Sequence, residues 1–592
     1  MRIREGILGA ALSAASLLAA AAAMPVAAAA ATSGQPLAAY VCSVQATPGA
    51  GVPVLGCGPA GAAGIGLRTS SFTAAPAATS PTCAVVPGVN DYCPSWTASY
   101  DNPAADSVVN QTSGDDEPHG FHIAGDRFYL AGNSFDGSSR YDMFLAAYDR
   151  FTGTQLWAQR WHDPDGDSDT AWSVTDDPNT GRVFITGQRC LGGYCFVETV
   201  AYDHAGNELW ATPYHDSGGG NDLTGSIAVS PDGSRVYVAG GQQPDWTRGS
   251  SVAQFVTIAY DAATGAQQWL QTYQGPFRGD GDDLSQARSI AVDPAGNAVY
   301  VGGFASANSP GDPQIDTFTT IAYDAASGGQ LWLTNYRHQN VDALQDMVLT
   351  PDGARLYLTG LDRECAGGCD VATDSYATVA YDAHAGTQVW SNVASNIGDA
   401  TRIALSPDGT TVYTSGIGYA QTVDNYVAAT VAVDTASGVQ RWLVDTRAAG
   451  GDGWANDVTA LGSPAAAVIG VVSEFGGPVY QTVALEQQTG QTLWSAMFNP
   501  NPGNDVANPW HVGATSDGWV LVAGLLAQDV DPANGATNDI DAFAFGYQVT
   551  AAPADVPELP ALPLTVLPLI GVSALMAARH RRRQGTSSSQ PA

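Results

Sequence analysis

One phrase occurs seven times in this chain: Ala-x-Asp-x-x-Thr/Ser-Gly-x-x-x-Trp, clearest as AYDAATGAQQW from Ala259 to Trp269. The other copies, some with a substitution or one residue fewer, run from Ala147 to Trp157, Ala201 to Trp210, Ala322 to Trp332, Ala380 to Trp390, Ala432 to Trp442 and Ala484 to Trp494. Successive copies lie 52 to 63 residues apart. A unit of that length cannot bury both of its faces alone, so the repeat predicts a closed or stacked array.

Each repeat predicts four antiparallel strands. Ser226 to Gly240 contains two β-branched runs joined by a Pro-Asp-Gly turn, which is typical of a hairpin. Phe255 to Asp261 predicts a third strand, and the turn at Thr264 and Gly265 leads into a fourth strand that carries Trp269. Four antiparallel strands per repeat indicate a β-propeller blade.

The two ends of the repeat array predict the number of blades. After the seventh phrase, Gly513 to Gly524 predicts a hairpin and Asp541 to Val549 a third strand, with no Trp strand behind it. Pro94 to Asn102 resembles a fourth strand, so we expect Trp96 to complete the last blade and remove two open sheet edges. The predicted fold class is all-β, an eight-bladed β-propeller closed by an N-terminal strand. The expected blade-docking residues are Trp96, Trp157, Trp210, Trp269, Trp332, Trp390, Trp442 and Trp494.

Over residues 95 to 550 the phrase resembles the tryptophan-docking repeat of eight-bladed quinoprotein propellers, the pyrroloquinoline-quinone-like (PQQ-like) family. The resemblance implies the propeller fold and raises the possibility of a quinone-dependent dehydrogenase that uses Ca²⁺. The enzymes of that family carry an adjacent cysteine pair under the cofactor, and this sequence has no Cys-Cys. Their calcium-holding Glu and Asn and their catalytic Asp have no matching positions here. We therefore assign no catalytic residue and do not expect a quinone.

The ends of the chain predict export and anchoring. An arginine-flanked apolar start and a 20-residue apolar stretch before five basic residues are typical of a secretory signal and a spanning helix. The predicted segments are a signal peptide at 1–31, a Cys-containing extension at 32–94, the propeller at 95–550, a Pro/Ala stalk at 551–560, a transmembrane segment at 561–578 and a basic cytoplasmic tail at 579–592. Because arginines stay inside, we expect the propeller at the cell surface, anchored in the plasma membrane.

Charge and loop lengths narrow the class of partner. The formal net charge is -34 and the chain has no Lys, so nucleic acid is not an expected partner. The turns within repeats are short and alike, whereas the connections between second and third strands are long and all different, for example at 190–195 and 362–374. Variable loops on a regular scaffold carry binding sites. We favour a monomeric binding or scaffold protein for a cell-surface protein or glycan; the quinone-dependent dehydrogenase is the alternative.

Eight cysteines form four close sequential pairs: Cys42 with Cys57, Cys83 with Cys93, Cys190 with Cys195, and Cys365 with Cys369. In an exported chain an even count favours disulfides. The last two pairs could instead supply two zinc ligands each, but no Cys-x-x-Cys spacing occurs and the pairs lie in different blades.

The most acidic connection holds Asp163, Asp165, Asp167 and Asp169 at a spacing of two. Such a loop can direct several oxygens at Ca²⁺, although it lacks the EF-hand positions, and a solvated acidic turn is the alternative. An acidic residue also precedes each innermost strand, at Asp116, Asp169, Asp222, Asp283, Asp342, Asp399, Asp457 and Asp505. These predict either a cation funnel at the channel mouth or caps of the local turns.

Histidines add one further expectation. His122 and His511 are predicted at similar places on the innermost strands of two neighbouring blades, with His119 close by. A metal or acid/base site is one interpretation of this group; buried histidines with satisfied hydrogen bonds are the other.

Overall fold

The computed structural model describes residues 40–45, 54–59, 94–100, 116–135, 140–163, 167–215, 222–242, 254–275, 285–306, 316–338, 341–363, 374–395, 397–420, 425–446, 453–462, 467–474, 480–498, 507–530 and 537–549. The chain divides into two compact parts, residues 1–550 and residues 551–592, and every described residue lies in the first part.

The described residues form strands β1 to β34. The propeller strands are grouped below into eight units of four antiparallel strands each, numbered in chain order. β1 (Tyr40–Gln45) and β2 (Val54–Pro59) make a separate hairpin. Unit 1 has β4 (Asp116–Ala124), β5 (Arg127–Phe135), β6 (Tyr141–Asp149) and β7 (Gln155–Trp161). Unit 2 has β8 (Ser168–Asp176), β9 (Val183–Leu191), β10 (Tyr194–Tyr202) and β11 (Glu208–Tyr214). Unit 3 has β12 (Asp222–Val229), β13 (Arg235–Gln242), β14 (Gln254–Asp261) and β15 (Gln267–Tyr273). Unit 4 has β16 (Ser285–Val292), β17 (Ala298–Ser306), β18 (Asp316–Asp324) and β19 (Gln330–Tyr336).

The second half of the array repeats the pattern. Unit 5 has β20 (Val341–Leu349), β21 (Arg355–Arg363), β22 (Ser375–Asp382) and β23 (Gln388–Ala394). Unit 6 has β24 (Gly398–Leu405), β25 (Thr411–Ala420), β26 (Asn425–Asp434) and β27 (Gln440–Thr446). Unit 7 has β28 (Gly453–Leu461), β29 (Ala467–Glu474), β30 (Tyr480–Glu486) and β31 (Thr492–Phe498). Unit 8 has β32 (Ala507–Ala514), β33 (Trp519–Val530), β34 (Thr537–Gln548) and β3 (Trp96–Tyr100).

The number of separate sheets differs from the sequence prediction. The described propeller strands form seven sheets rather than eight: six have four strands, and one, from β16 to β23, has eight. A single parallel bridge between Asp316 of β18 and Val341 of β20 joins units 4 and 5 into that larger sheet. The prediction of eight separate blades is therefore wrong as a count of sheets, although the antiparallel pairing inside each of the eight four-stranded units is the predicted one.

The ring is closed by the N-terminal strand. β3 pairs antiparallel with β34, with Trp96 opposite Gly546 and Tyr100 opposite Ala542. The first strands of successive units contact one another throughout, and β32 of unit 8 contacts β4 of unit 1. Arg150 of unit 1 also binds both carboxylate oxygens of Asp517 in unit 8, at 3.1 and 2.8 Å. Closure leaves no open edge between the first and last units.

The repeated tryptophans lie between units. Seven of the eight donate the indole N–H to a backbone carbonyl of the next unit, as Trp210 does to Ala262 at 3.2 Å. The same bond is made by Trp96, Trp157, Trp269, Trp332, Trp390 and Trp442. Trp494 is buried in the hydrophobic cluster shared by units 7 and 8. Burying a large aromatic ring between sheets stabilises each contact, because the ring removes apolar surface on both sides from water.

The turn of the repeat explains why its Asp and Gly recur. Asp261 accepts hydrogen bonds from the backbone N–H and the hydroxyl of Thr264, at 2.9 and 2.8 Å. Gly265 has φ +72°, a left-handed conformation that suits glycine. A Cβ at Gly265 would lie 2.7 Å from the Trp210 ring of the preceding unit. Glycine is therefore required here by both the backbone conformation and the docked tryptophan.

Candidate functional site

The first strands share one irregularity, a β-bulge near their midpoint. A bulge inserts an unpaired residue and redirects the side chains around it. The bulged residues are His119, Trp172, Gly225, Arg288, Gln345, Thr401, Asn456 and Trp510, one in each unit. Because the first strands surround the centre of the ring, the bulges bring one residue of each unit to the same level of the channel.

A cavity of about 350 Å³ lies at that level. Seven of the eight bulged residues line it, the exception being Thr401, and Gln286, Arg402 and His511 complete the described lining. The volume is at the small end of the roughly 300–1,000 Å³ typical of ligand pockets. A cavity of this size suits a small ligand or one end of a larger one.

One wall of the cavity is aromatic. The His119 ring lies between two indoles, with its centroid 4.3 Å from that of Trp172 and 5.3 Å from that of Trp510. Nε2 of His119 lies 2.6 Å from Oδ1 of Asn133, which holds the ring in place. Trp172 is 40% exposed, so its ring remains available for contact. These three side chains come from the consecutive units 8, 1 and 2.

The opposite wall is basic and polar. Arg288, Gln345 and Arg402 come from units 4, 5 and 6, which stand across an eight-unit ring from units 8, 1 and 2. Burial, and next the positive charge of Arg402, lower the pKa of Arg288 from its usual value. Nε of Arg402 lies 4.0 Å from Oδ1 of Asp457. In this wall, Arg402 therefore lies beside a carboxylate, whereas Arg288 forms no ion pair within 4.0 Å among the described residues.

A part-buried carboxylate, Asp457 with 16% of its side chain exposed, lies beside Arg402. Asp457 accepts the backbone N–H groups of Val458 and Val512, at 2.8 and 3.0 Å. Burial is the main cause that raises the pKa of Asp457 to about 6. Asp457 is therefore largely ionised at neutral pH and balances part of the charge of Arg402.

His122 and His511 do not lie at the equivalent positions that the sequence predicted. His511 follows the bulge of β32 and faces the cavity, whereas His122 lies further along β4, with Nε2 2.7 Å from Oδ1 of Asp176. The two are not at equivalent places, because His122 lies three residues after the bulge of its strand and His511 lies one residue after the bulge of its own. The Nε2 atom of His511 is buried and has no hydrogen-bond partner among the described residues. Burial, and next the charge of Arg402, lower the pKa of His511 to about 3, so its ring is neutral at pH 7.

The acidic loop of unit 2 is tied to the neighbouring hairpin. Asp163 forms an ion pair with Arg189, and its backbone N–H donates to Asp169 at 3.1 Å. Asp167 accepts the backbone N–H of Gly192 at 2.7 Å. Protein groups therefore contact all three described carboxylates.

The fourth carboxylate of the predicted calcium loop, Asp165, lies outside the described residues. Within the described part of the chain, no group of three or more His, Cys, Asp or Glu side chains is arranged to hold a metal ion. The prediction of Ca²⁺ at 163–169 remains a prediction.

A buried glutamate stands behind this loop. Glu198 of β10 is 1% exposed, and the nearest described cation is Arg189, with Nη1 3.7 Å from Oε2. Burial raises the pKa of Glu198 to about 8 and that of Asp169 to about 6. Glu198 is therefore largely protonated at neutral pH.

The predicted ring of acidic residues is only partly regular. Four lie at equivalent positions, three residues before the bulge, and are 0–2% exposed: Asp116, Asp169, Asp222 and Asp342. Asp399 is one position later and Asp457 follows the bulge, while Asp283 and Asp505 lie outside the described residues. The four do not line the cavity, and Asp169 and Asp342 each accept a backbone N–H of the preceding connection. This arrangement favours the capping interpretation over the funnel.

The cysteine predictions have different outcomes. Cys190 and Cys195 form a disulfide between β9 and β10. Cys42 and Cys57 stand opposite each other in the β1–β2 register. The remaining predicted pairs lie outside the described residues: Cys83 with Cys93, and Cys365 with Cys369.

The targeting segments cannot be compared with the structure. The predicted signal, stalk, transmembrane segment and tail all lie outside the described residues. Among the residues that are described, no helix has the length and hydropathy needed to cross a membrane.

A family comparison agrees with the repeat. Residues 254–496, which contain five of the seven phrases, match the family model PQQ_2, described as "Outer membrane protein assembly factor BamB". These residues belong to the PQQ-like repeat family. No curated protein sequence matches the chain.

Several solved structures are similar in fold to this propeller. A europium-containing methanol dehydrogenase is 15% identical over 74% of this chain and 92% of that one, with a TM-score of 0.44. The Dos1 propeller is 12% identical over 73% and 93%, with a TM-score of 0.45. A quinohemoprotein alcohol dehydrogenase from Pseudomonas putida HK5 is 15% identical over 83% and 81%, with a TM-score of 0.44. At such scores, fold similarity says nothing about activity.

The residues that line the cavity of this PQQ-like propeller were largely missed in the sequence. Trp172, Arg288, Gln345, Arg402 and Trp510 belong to no repeated pattern, because the bulge position holds a different residue type in almost every unit. Only their shared offset from the preceding phrase could have related them, and the varying connection lengths obscure that offset.

Proposed function

We propose that this PQQ-like propeller is a membrane-anchored binding protein of the cell surface, which binds a protein or glycan on the face where the loops between second and third strands emerge. The observation that carries the proposal is the central cavity, with an aromatic wall from units 8, 1 and 2 opposite a guanidinium and amide wall from units 4, 5 and 6. Convergent polar groups beside exposed aromatic rings are typical of recognition sites.

The loop face of unit 2 supports this proposal. The Cys190–Cys195 disulfide, the Arg189–Asp163 ion pair and the hydrogen bond between Gly192 and Asp167 brace one hairpin against the inter-unit connection. Bracing fixes the shape of the surface before binding and so reduces the entropy lost when a partner is bound.

The alternative is a quinone-dependent dehydrogenase, and the donor set of the cavity does not fit the calcium and quinone pair that such an enzyme would hold. Ca²⁺ is bound by oxygen ligands, mainly carboxylates and carbonyls. The described lining contains no carboxylate side chain and places Arg288 and Arg402 in the cavity. Cations there would repel a divalent ion. We therefore derive no catalytic step.

A paired measurement tests the proposal. Purified full-length protein in detergent is assayed for binding to isolated cell envelopes and to a glycan array, and separately for dye-linked oxidation of alcohols and sugars with added quinone and Ca²⁺. We expect saturable binding and no quinone-dependent turnover. Turnover that requires the quinone, without envelope binding, would replace the proposal with the dehydrogenase alternative.

The anchoring part of the proposal is tested on intact cells. Protease should remove the propeller while the 579–583 arginine-rich tail, tagged at the C-terminus, stays protected inside. A propeller that resists protease until lysis would reverse the topology.

A further inference from the structure

We propose that the central cavity binds an acidic sugar, a pyranose ring that carries a carboxylate, such as the terminal residue of an acidic glycan. The inference rests on the proposed function and names the ligand class of the same site. It follows from what the two walls can recognise and from the polar groups that complete the lining of the cavity.

The basic wall is suited to the carboxylate. Arg288 and Arg402 are close enough for the charge of one to lower the pKa of the other, so an anion between them relieves their repulsion. Arg402 is partly balanced by Asp457 at 4.0 Å. Arg288 forms no ion pair within 4.0 Å among the described residues, although the negative charge of Asp399 acts on it from further away. Arg288 is therefore the stronger candidate for a direct carboxylate contact. Guanidinium groups bind carboxylates through paired, charge-assisted hydrogen bonds.

The aromatic wall is suited to the opposite side of a sugar ring. Pyranoses present a flat patch of C–H groups, which packs on an indole face and is removed from water there. Trp172 is 40% exposed and Trp510 lines the same cavity, with the His119 ring between them. A charged ligand without a flat apolar face would leave these rings in contact with water.

The remaining lining favours a sugar over an aromatic acid. Gln286, Gln345 and Asn456 place amide groups around the cavity, and His511 has a buried Nε2 without a described partner. Hydroxyl groups both donate and accept, so they can pair with amides and with a neutral imidazole nitrogen. An aromatic carboxylate would place its apolar edge against these groups, and unpaired buried polar groups are costly.

The experiment is calorimetric titration of the full-length protein in detergent with D-glucuronate, D-glucose and benzoate. Glucose lacks only the carboxylate and benzoate lacks the hydroxyl groups. We expect glucuronate to bind about tenfold or more tightly than either, as the loss of a hydrogen bond to a charged group predicts. Equal binding of glucose, or tighter binding of benzoate, would overturn the proposal.

Variants locate the site. Arg288→Gln should weaken glucuronate binding about tenfold or more, and Trp510→Leu should weaken it while the melting temperature stays near that of the parent. Arg355→Gln makes the same charge change at the surface ion pair with Asp382 and should leave affinity unchanged. Unchanged affinity in Arg288→Gln would refute the assignment of the cavity. If envelope binding persists in a protein that binds no glucuronate, only the ligand class fails; loss of both defeats the proposed function as well.

Discussion

Replacing the repeat glycine with alanine should measure how strongly one unit docks on the next. Gly265 and Gly409 have nearly the same backbone conformation, with φ of +72° and +71°. A Cβ at Gly265 would lie 2.7 Å from the Trp210 ring, whereas a Cβ at Gly409 would meet nothing within 4 Å. Oγ1 of Thr212, also in the preceding unit, would lie equally close to that Cβ, at 2.7 Å. The two glycines therefore form a matched pair that differs in the contact with the preceding unit.

The magnitudes follow from these contacts. A residue with a Cβ in the left-handed conformation destabilises the folded state by about 1–2 kcal/mol. Alanine also lowers the conformational entropy of the unfolded chain, which offsets about 0.4–1 kcal/mol of that cost. Gly409→Ala should then cost about 1 kcal/mol or less. Gly265→Ala adds overpacking against Trp210, about 1–3 kcal/mol, for a total of roughly 1–4 kcal/mol.

Urea unfolding followed by circular dichroism gives the two midpoints. The double variant Gly265→Ala with Trp210→Ala should show a favourable coupling, because the ring that clashes has been removed. Equal midpoints for Gly265→Ala and Gly409→Ala, or no coupling in the double variant, would refute the docking explanation.

Three further predictions concern closure, calcium and pH. Deletion of 32–101 removes β3 and should lower the melting temperature clearly more than deletion of 32–80, and equal values would contradict closure by that strand. Ca²⁺ at millimolar concentration should raise the melting temperature by mass action, and Asp165→Asn with Asp167→Asn should abolish most of that rise in calorimetry; an unchanged rise would exclude the loop. Burial gives Glu198 a pKa of about 8, so its contribution to stability is present below its unfolded pKa and is lost as pH rises towards 8. Glu198→Gln should therefore flatten the decline of the melting temperature between pH 5 and 8, which a pH series of thermal melts will show or refute.

The scaffold could be predicted from the sequence because it is repetitive. The Trp and Gly positions recur in nearly every copy, and each has a local role that the residue type indicates. The Trp supplies a buried ring at the interface between units, and the Gly allows the left-handed turn that packs against it. Even Trp96, far from the other end of the array, was recognisable from the strand that unit 8 lacked. The bridge between Asp316 and Val341 was not, because a single bridge pair between two units leaves no periodic pattern in the sequence.

There is a physical reason why the cavity could not be predicted from the sequence. A bulge breaks the alternation of inward and outward side chains, so residues after it change faces relative to the pattern before it. Asp457 was expected just before its innermost strand, but it lies inside that strand, directly after the bulge. The residues that reach the cavity, such as Arg288 and Gln345, are identified only by strand pairing.

The pairing of β3 with β34 also has a consequence for how the chain folds as it is made. Trp96 and Gly546 are about 450 residues apart, so their contact forms only after nearly the whole propeller has been synthesised. At roughly 5–20 residues per second, that interval lasts tens of seconds. Throughout it, β3, the first propeller strand to be made, has no partner strand, and the incomplete ring has two exposed edges. Folding of this chain therefore depends on keeping β3 from premature pairing until the last unit has been made.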